Sequence, residues 1–192
     1  MITHARQSSR LSLVTFAAAI ALAGCADETT TGPADQAAIP PTRAAARGPV
    51  LGECDEIAVP AGSKLVFHTY AAGVQKYEWD GASWAPRGPQ AKLYSDAAGT
   101  DEVGIHYGGP TWESNSGSLV VAQLKTPCEV APADIPWLRL DQVRSQGPGI
   151  FDGVDFIQRV NTVGGRAPTT PGAPGELRNV PYTAEYFFYG AR

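Results

Sequence analysis

From Ser63 onward, apolar residues recur at every second position rather than every third or fourth. Ser63 to Tyr70 reads SKLVFHTY, with Leu65 and Phe67 on one face and Val66, His68 and Tyr70 on the other. Gln75, Tyr77 and Trp79 alternate against Val74, Lys76 and Glu78, and Asp80-Gly81 then marks a tight turn with Trp84 across it. Ala91–Ser95 and Glu102–Tyr107 flank a polar Asp/Gly loop and predict a second hairpin. Gly117–Leu124, Ile135–Val143, Val154–Val160 and Tyr182–Tyr189 complete a count of about eight or nine strands. No stretch after the first fifty residues carries a clean 3.6-residue apolar stripe. Short strands separated by frequent turn signals predict an all-β domain, a sandwich or barrel of mostly antiparallel strands. Its loops are long and rich in Gly and Pro, above all 163–179, VGGRAPTTPGAPGELRN.

The start of the chain follows a different pattern. Residues 1–10 carry Arg6 and Arg10 and no acid, and residues 11–23 form an apolar run too short to span a bilayer comfortably. Basic, then apolar, then small residues is the order of a secretory signal. It ends in Leu22-Ala23-Gly24-Cys25, which resembles the bacterial lipoprotein box. That resemblance implies removal of residues 1–24, lipidation of the Cys25 thiol and a membrane anchor in the cell envelope. Ala26 follows the cysteine, which by enterobacterial sorting rules directs the protein to the outer membrane. Residues 26–49 contain no aromatic residue and one large aliphatic, Ile39, so they bury too little surface to offset their ordering entropy. Residues 25–49 therefore read as a lipidated cysteine and a disordered tether, and residues 50–192 as a single β domain.

Composition agrees with that address. A net charge of −4 argues against nucleic acid as a partner. With Cys25 lipidated, Cys54 and Cys128 remain for an oxidising compartment. A bridge between them would stabilise the fold by roughly 4–5 kcal/mol in the chain-entropy model; the alternative is two separate buried thiols. There is no Cys-x-x-Cys pair.

Several residues invite a chemical reading. Glu113 lies in a segment read as a loop, His106–Glu113, with Tyr107, Trp112 and two glycines, and is the best candidate acid or base, with His106 assisting. His68, His106 and Glu113 match no zinc spacing, so no metal and no cofactor is expected. Glu78, Asp80 and Glu113 lie near tryptophans, a composition that permits a glycan site, although Asp80 is more simply a turn former. Ser114, Ser116 and Ser118 lack a nucleophile elbow. Arg159, Asn161 and Arg166, beside Gly164-Gly165, are candidates for an anion nest for a carboxylate or phosphate.

Five groups of residues occur in a recognisable order. They are Gly73-Val74-Gln75-x-Tyr77; Gly104-x-His106-Tyr107-x-Gly109-Pro110-Thr111-Trp112-Glu113 with Gly117-Ser118; Ile135-Pro136-Trp137-Leu138; Arg159-Val160-Asn161-Thr162-x-Gly164-Gly165-x-Ala167-Pro168; and Pro181-Tyr182-x-Ala184-x-Tyr186-x-Phe188-Tyr189. Over residues 57–189 this series resembles a family of uncharacterised secreted proteins of bacteria and fungi, a domain of unknown function. The resemblance implies no activity and no catalytic residue. Some fungal members carry the label malate dehydrogenase, but the nearest glycine string here, Gly147-Pro148-Gly149 to Gly153, has its third glycine one place late and no following helix, so the label is not supported. Members often carry a cysteine where Trp79 stands, so the Cys54–Cys128 pairing is read from this chain alone.

Two functions follow as expectations. The first is a lipid-anchored, non-catalytic envelope module that binds a glycan, a small ligand or another envelope protein, with His68, Gln75, Tyr107, Trp112, Arg159 and Asn161 as binding candidates. The alternative is a periplasmic hydrolase using Glu113 and His106. Metabolic labelling with a radioactive fatty acid should mark the protein in its native host, and Cys25→Ala should abolish the label and release the protein from the membrane fraction.

Overall fold

The computed structural model describes residues 47–190, so the signal sequence, Cys25 and most of the tether lie outside the described residues. Eight strands follow in chain order: β1 Lys64–Trp79, β2 Trp84–Tyr94, β3 Glu102–Tyr107, β4 Thr111–Ser114, β5 Leu119–Cys128, β6 Trp137–Gln146, β7 Val154–Gly164 and β8 Leu177–Gly190. Each pairs antiparallel with the next, and β1 pairs with β8 from Lys64↔Gly190 to Glu78↔Leu177, which closes the sheet into an up-and-down barrel. The sandwich alternative is thereby set aside and the barrel retained.

Two features differ from the expectation drawn from pattern. The runs Ser63–Tyr70 and Gln75–Trp79 form one strand of 16 residues, because Ala71-Ala72-Gly73 pairs without interruption with β2 and β8. Gly73 is needed there: a Cβ would stand 2.2 Å from the Gln90 carbonyl oxygen of β2. The segment His106–Glu113, read as a loop, is instead the end of β3, a turn at Gly108-Gly109-Pro110 and most of β4. β4 is only four residues long, too short for alternation to reveal it.

Alternation decides what fills the barrel. Phe67, Thr69, Ala71, Gln75 and Tyr77 of β1, Leu93 of β2, His106 of β3, Trp112 of β4, Val120 of β5, Leu140 of β6, Ile157 of β7 and Tyr182, Ala184, Tyr186 and Phe188 of β8 point inward. An eight-stranded barrel has an interior that side chains can just fill. One end, with connections 95–101, 115–118 and 147–153, is plugged by apolar rings: Phe151 is fully buried and its ring lies 4.9 Å from Phe188 and 6.3 Å from Phe67. The other end, called here the mouth, carries connections 80–83, 108–110, 129–136 and 165–176.

A second apolar cluster lies outside the barrel wall. Phe187, Tyr189 and Val160 face outward yet are buried, because the segment before β1 lies over them with Cys54 and Ile57. A single 3₁₀ turn, Asp55–Ile57, carries this cover. Gln158 Nε2 donates to the Ile57 carbonyl at 2.8 Å, and the Tyr189 hydroxyl donates to Gln158 Oε1 at 2.8 Å. Cys54 and Cys128 are joined in a disulfide, with their Cα atoms 5.8 Å apart, fastening the segment to the mouth end of β5. Cys54→Ser or Cys128→Ser should therefore cost about 2–5 kcal/mol of stability, read as a lower urea midpoint matched by wild-type protein after reduction.

Candidate functional site

The pairing register separates the residues singled out in the sequence. His106 stands opposite Trp112, and Ile105 opposite Glu113. His106 and Trp112 are both buried inside the barrel, with rings stacked at 4.2 Å, so Glu113 points to the outer face. There it accepts a hydrogen bond from the Tyr107 hydroxyl at 2.9 Å. The pair invoked for hydrolysis is thus divided by the sheet, and Tyr107 belongs with Glu113 on the outside.

His68 and Asn161 form a separate outer cluster. The His68 Nε2 atom is 2.8 Å from Glu185 Oε2, and Asn161 donates to Glu185 Oε1 at 2.9 Å. Asn161 adopts a left-handed backbone (φ 49) where the β7–β8 register shifts between Val160 and Val163. Asn161 and Glu185 border a shallow groove of about 300 Å³ with Tyr70 and Tyr94. Arg166, the third member of the expected anion nest, is instead paired with Glu129. The nest is not assembled, because Arg159, Asn161 and Arg166 have different partners. The three serines lie by the plugged end, where Ser114 Oγ is 2.9 Å from both the Ser116 and Ser118 hydroxyls and the group braces the 115–118 turn. Glu78 is ion-paired with Arg87 across the first hairpin, and Asp80 accepts from the Ala82 and Ser83 amides in its turn. His68, His106 and Glu113 do not converge on a common point. The metal-ligating grouping found among the described residues, Cys54, Glu56 and Cys128, has both sulfurs committed to the disulfide.

The mouth end of the interior is different. Gln75, Tyr77, His106, Trp112, Arg159, Tyr182 and Tyr186 all project into it, drawn from five strands. A partly open cavity of about 60 Å³ sits among them. Its buried walls are His106, Trp112, Leu140 and Tyr186, and half-buried Pro89, Pro110, Leu138 and Arg159 form its rim. Arg159 is held by the neighbouring connection: its Nε and Nη2 donate to the Pro136 carbonyl at 3.2 and 2.8 Å. That connection is itself fixed by Thr162, whose hydroxyl donates to the Ile135 carbonyl at 2.7 Å, and by the Ile135 amide donating to the Gly164 carbonyl. The motif Ile135-Pro136-Trp137-Leu138 thus supplies the seat of the guanidinium. The long 165–176 loop closes over the first hairpin, where the Tyr77 hydroxyl donates to the Gly165 carbonyl and Trp84 Nε1 to the Thr170 carbonyl.

The electrostatics of this end are one-sided. Among the described residues no carboxylate forms an ion pair with Arg159. Burial raises the Tyr77, Tyr182 and Tyr186 hydroxyls above their ordinary range, so all three are neutral near pH 7. Burial also pushes His106 down to about 3, against the opposing pull of its hydrogen bond to Thr111. The His106 Nδ1–H donates to the Thr111 carbonyl at 2.8 Å, which leaves Nε2 as an acceptor. Two buried nitrogens at this end, Gln75 Nε2 and Trp112 Nε1, have no hydrogen-bond partner in the protein. The Tyr182 and Tyr186 hydroxyls engage each other, and Tyr186 also engages the Arg159 guanidinium, in hydrogen bonds of loose geometry. Unpartnered buried donors cost about 1–3 kcal/mol each, and two beside a guanidinium without a carboxylate partner mark a site rather than a core. The sequence names Gln75, Trp112, Arg159 and His106 as candidates, whereas Tyr182 and Tyr186 enter it only as part of a strand and a motif. The signal that reveals them is the shared inward parity of β1, β7 and β8.

His106 sets a pH dependence. Its folded value lies below the unfolded value of about 6.5, so between the two the unfolded chain binds a proton that the native barrel does not. Stability is full above pH 6.5 and falls as pH drops toward 3. Urea midpoints measured at pH 7 and pH 4 should show this loss, and His106→Gln, weaker overall at pH 7, should show a smaller drop between the two.

A family model described as "Protein of unknown function (DUF3455)" matches residues 60–190. No curated protein and no solved structure matches the chain. The match spans the barrel from just before β1 to the end of β8, and with it every strand that contributes to the mouth. The chain belongs to this family of proteins of unknown function.

Proposed function

We propose that this is a lipid-anchored protein of the cell envelope, held at Cys25 after loss of residues 1–24, whose barrel is a non-catalytic module that binds a small polar ligand at its mouth. The observation that carries the reading is an unpartnered indole N–H, that of Trp112, and a half-buried guanidinium without a carboxylate partner, that of Arg159, both on residues lining one cavity. Binding sites place a few converging polar groups in an apolar wall, and Leu138, Leu140, Pro89 and Pro110 supply that wall here. The hydrolase alternative has less support, since Glu113 and His106 lie on opposite faces of the sheet. A pyranose ring is too large for a cavity of about 60 Å³, so a glycan would have to use an outer surface such as the groove beside Tyr70 and Tyr94.

The test is native mass spectrometry of the purified protein after exposure to a small-molecule extract of cell envelopes. A bound small molecule is expected, and Trp112→Phe, which removes the indole N–H and keeps an aromatic ring, should weaken its retention about tenfold. An adduct equally retained by Trp112→Phe, or none from any extract, would count against the mouth as the site.

A further inference from the structure

Resting on the reading of the mouth as a ligand site, the geometry points to a carboxylate as the group it takes: a monocarboxylate whose charged end enters the cavity beside Arg159, Trp112 and Tyr186 while the rest of the molecule stays outside the rim.

The donor inventory leads to this class. Of the lining residues, Trp112 offers an Nε1 that can only donate and Arg159 has donors beyond those given to Pro136; the Gln75 amide nitrogen, a donor too, lies outside the lining. The Tyr186 hydroxyl lines the cavity as well and is engaged with Tyr182 and Arg159. The side-chain acceptors identified among these walls are His106 Nε2 and the Tyr186 oxygen, and the second is already engaged with Tyr182 and Arg159. A ligand that satisfies such walls must bring oxygen acceptors, and it gains most if it also brings negative charge for a guanidinium with no ion-pair partner among the described residues. Trp112 and Tyr186 are each about 1% exposed and both line the cavity, so the unpartnered Trp112 Nε1 lies inside the barrel and not at its surface.

Charge and size then choose among anions. One guanidinium with neutral phenols and a neutral imidazole balances one negative charge. A dianionic phosphate would leave the second charge uncompensated in a wall of Leu138, Leu140 and two prolines. A planar carboxylate matches the guanidinium fork and fits about 60 Å³, where a larger body does not. The partly open rim lets the remainder of the ligand project outward.

The experiment follows the Trp112 indole N–H resonance in the full-length protein by two-dimensional NMR during titration with acetate. Acetamide and glycerol serve as uncharged controls, and inorganic phosphate as the competing anion. N-acetylalanine and glucuronate serve as carboxylates of peptide and sugar origin. Acetate should shift the resonance saturably, acetamide and phosphate should need at least tenfold higher concentration, and whichever larger carboxylate binds tighter names the source. Arg159→Gln should weaken acetate at least tenfold, and Tyr186→Phe, which spares the Pro136 contact, should weaken it severalfold if Arg159→Gln fails to fold. Equal response to acetamide, tighter binding of phosphate, or an unaltered response in both variants overturns the carboxylate assignment. If glycerol or acetamide binds and no carboxylate does, the ligand site stands and the assignment falls. If no probe moves the resonance, both fall.

Discussion

The seam between β1 and β8 is the contact on which the rest depends. It joins the first strand to the last along nearly the whole length of both, and without it the sheet would expose two edges of unpaired amides and carbonyls. Forming the seam requires β1 to run as one long strand that meets β2 on one side and β8 on the other, and Gly73 permits the close approach at the point where the sheet is most crowded. Gly104 does the same between β3 and β4, where a Cβ would lie 2.2 Å from the Glu113 carbonyl oxygen. Once the ring is shut, every strand position is either inside or outside, with no third choice.

That binary choice sorts chemistry along the barrel as well as across it. At the plugged end the inward positions are Phe67, Phe151 and Phe188, whose burial contributes the hydrophobic stabilisation. At the mouth the inward positions are hydroxyls, an amide, an imidazole and a guanidinium. Burying such groups costs stability unless each finds a partner, and the Gln75 amide nitrogen and the Trp112 indole N–H do not. A protein that only needed to be stable would place leucines there. The apolar end carries the fold and the polar end exploits the rigidity it provides.

Much of this was legible beforehand. Period-two patterning gave the all-β class and most of the strands, because alternation is a direct imprint of one wet and one dry face. The pair left after Cys25 pointed to a disulfide, with two separate thiols as the alternative, and the bridge is formed. Glu113 shows where the reading stopped. It stands next to Trp112 in the chain, and adjacency suggested a shared site, yet neighbours in a strand point apart. Assigning Glu113 and His106 to one loop hid that rule, because a four-residue strand leaves too short a trace to recognise. Tyr182 and Tyr186 were missed for the converse reason. Aromatic alternation in β8 looks the same whether the hydroxyls are spent or spare, and only the three-dimensional register tells which. Phe187 and Tyr189 add to the ambiguity, since the segment before β1 buries the outer face of the same strand.

The disulfide has a mechanical meaning. The chain arrives at Cys54, is pinned there to Cys128, and only afterwards crosses the wall to enter β1. Tension applied to the leading segment is therefore delivered to the end of β5, in the middle of the sheet, and bypasses Lys64, where a pull would start to peel the first strand from the last. With the sulfurs reduced, the same force would act directly on the β1–β8 seam. The crosslink thus shields the seam from a pull on the segment before Cys54.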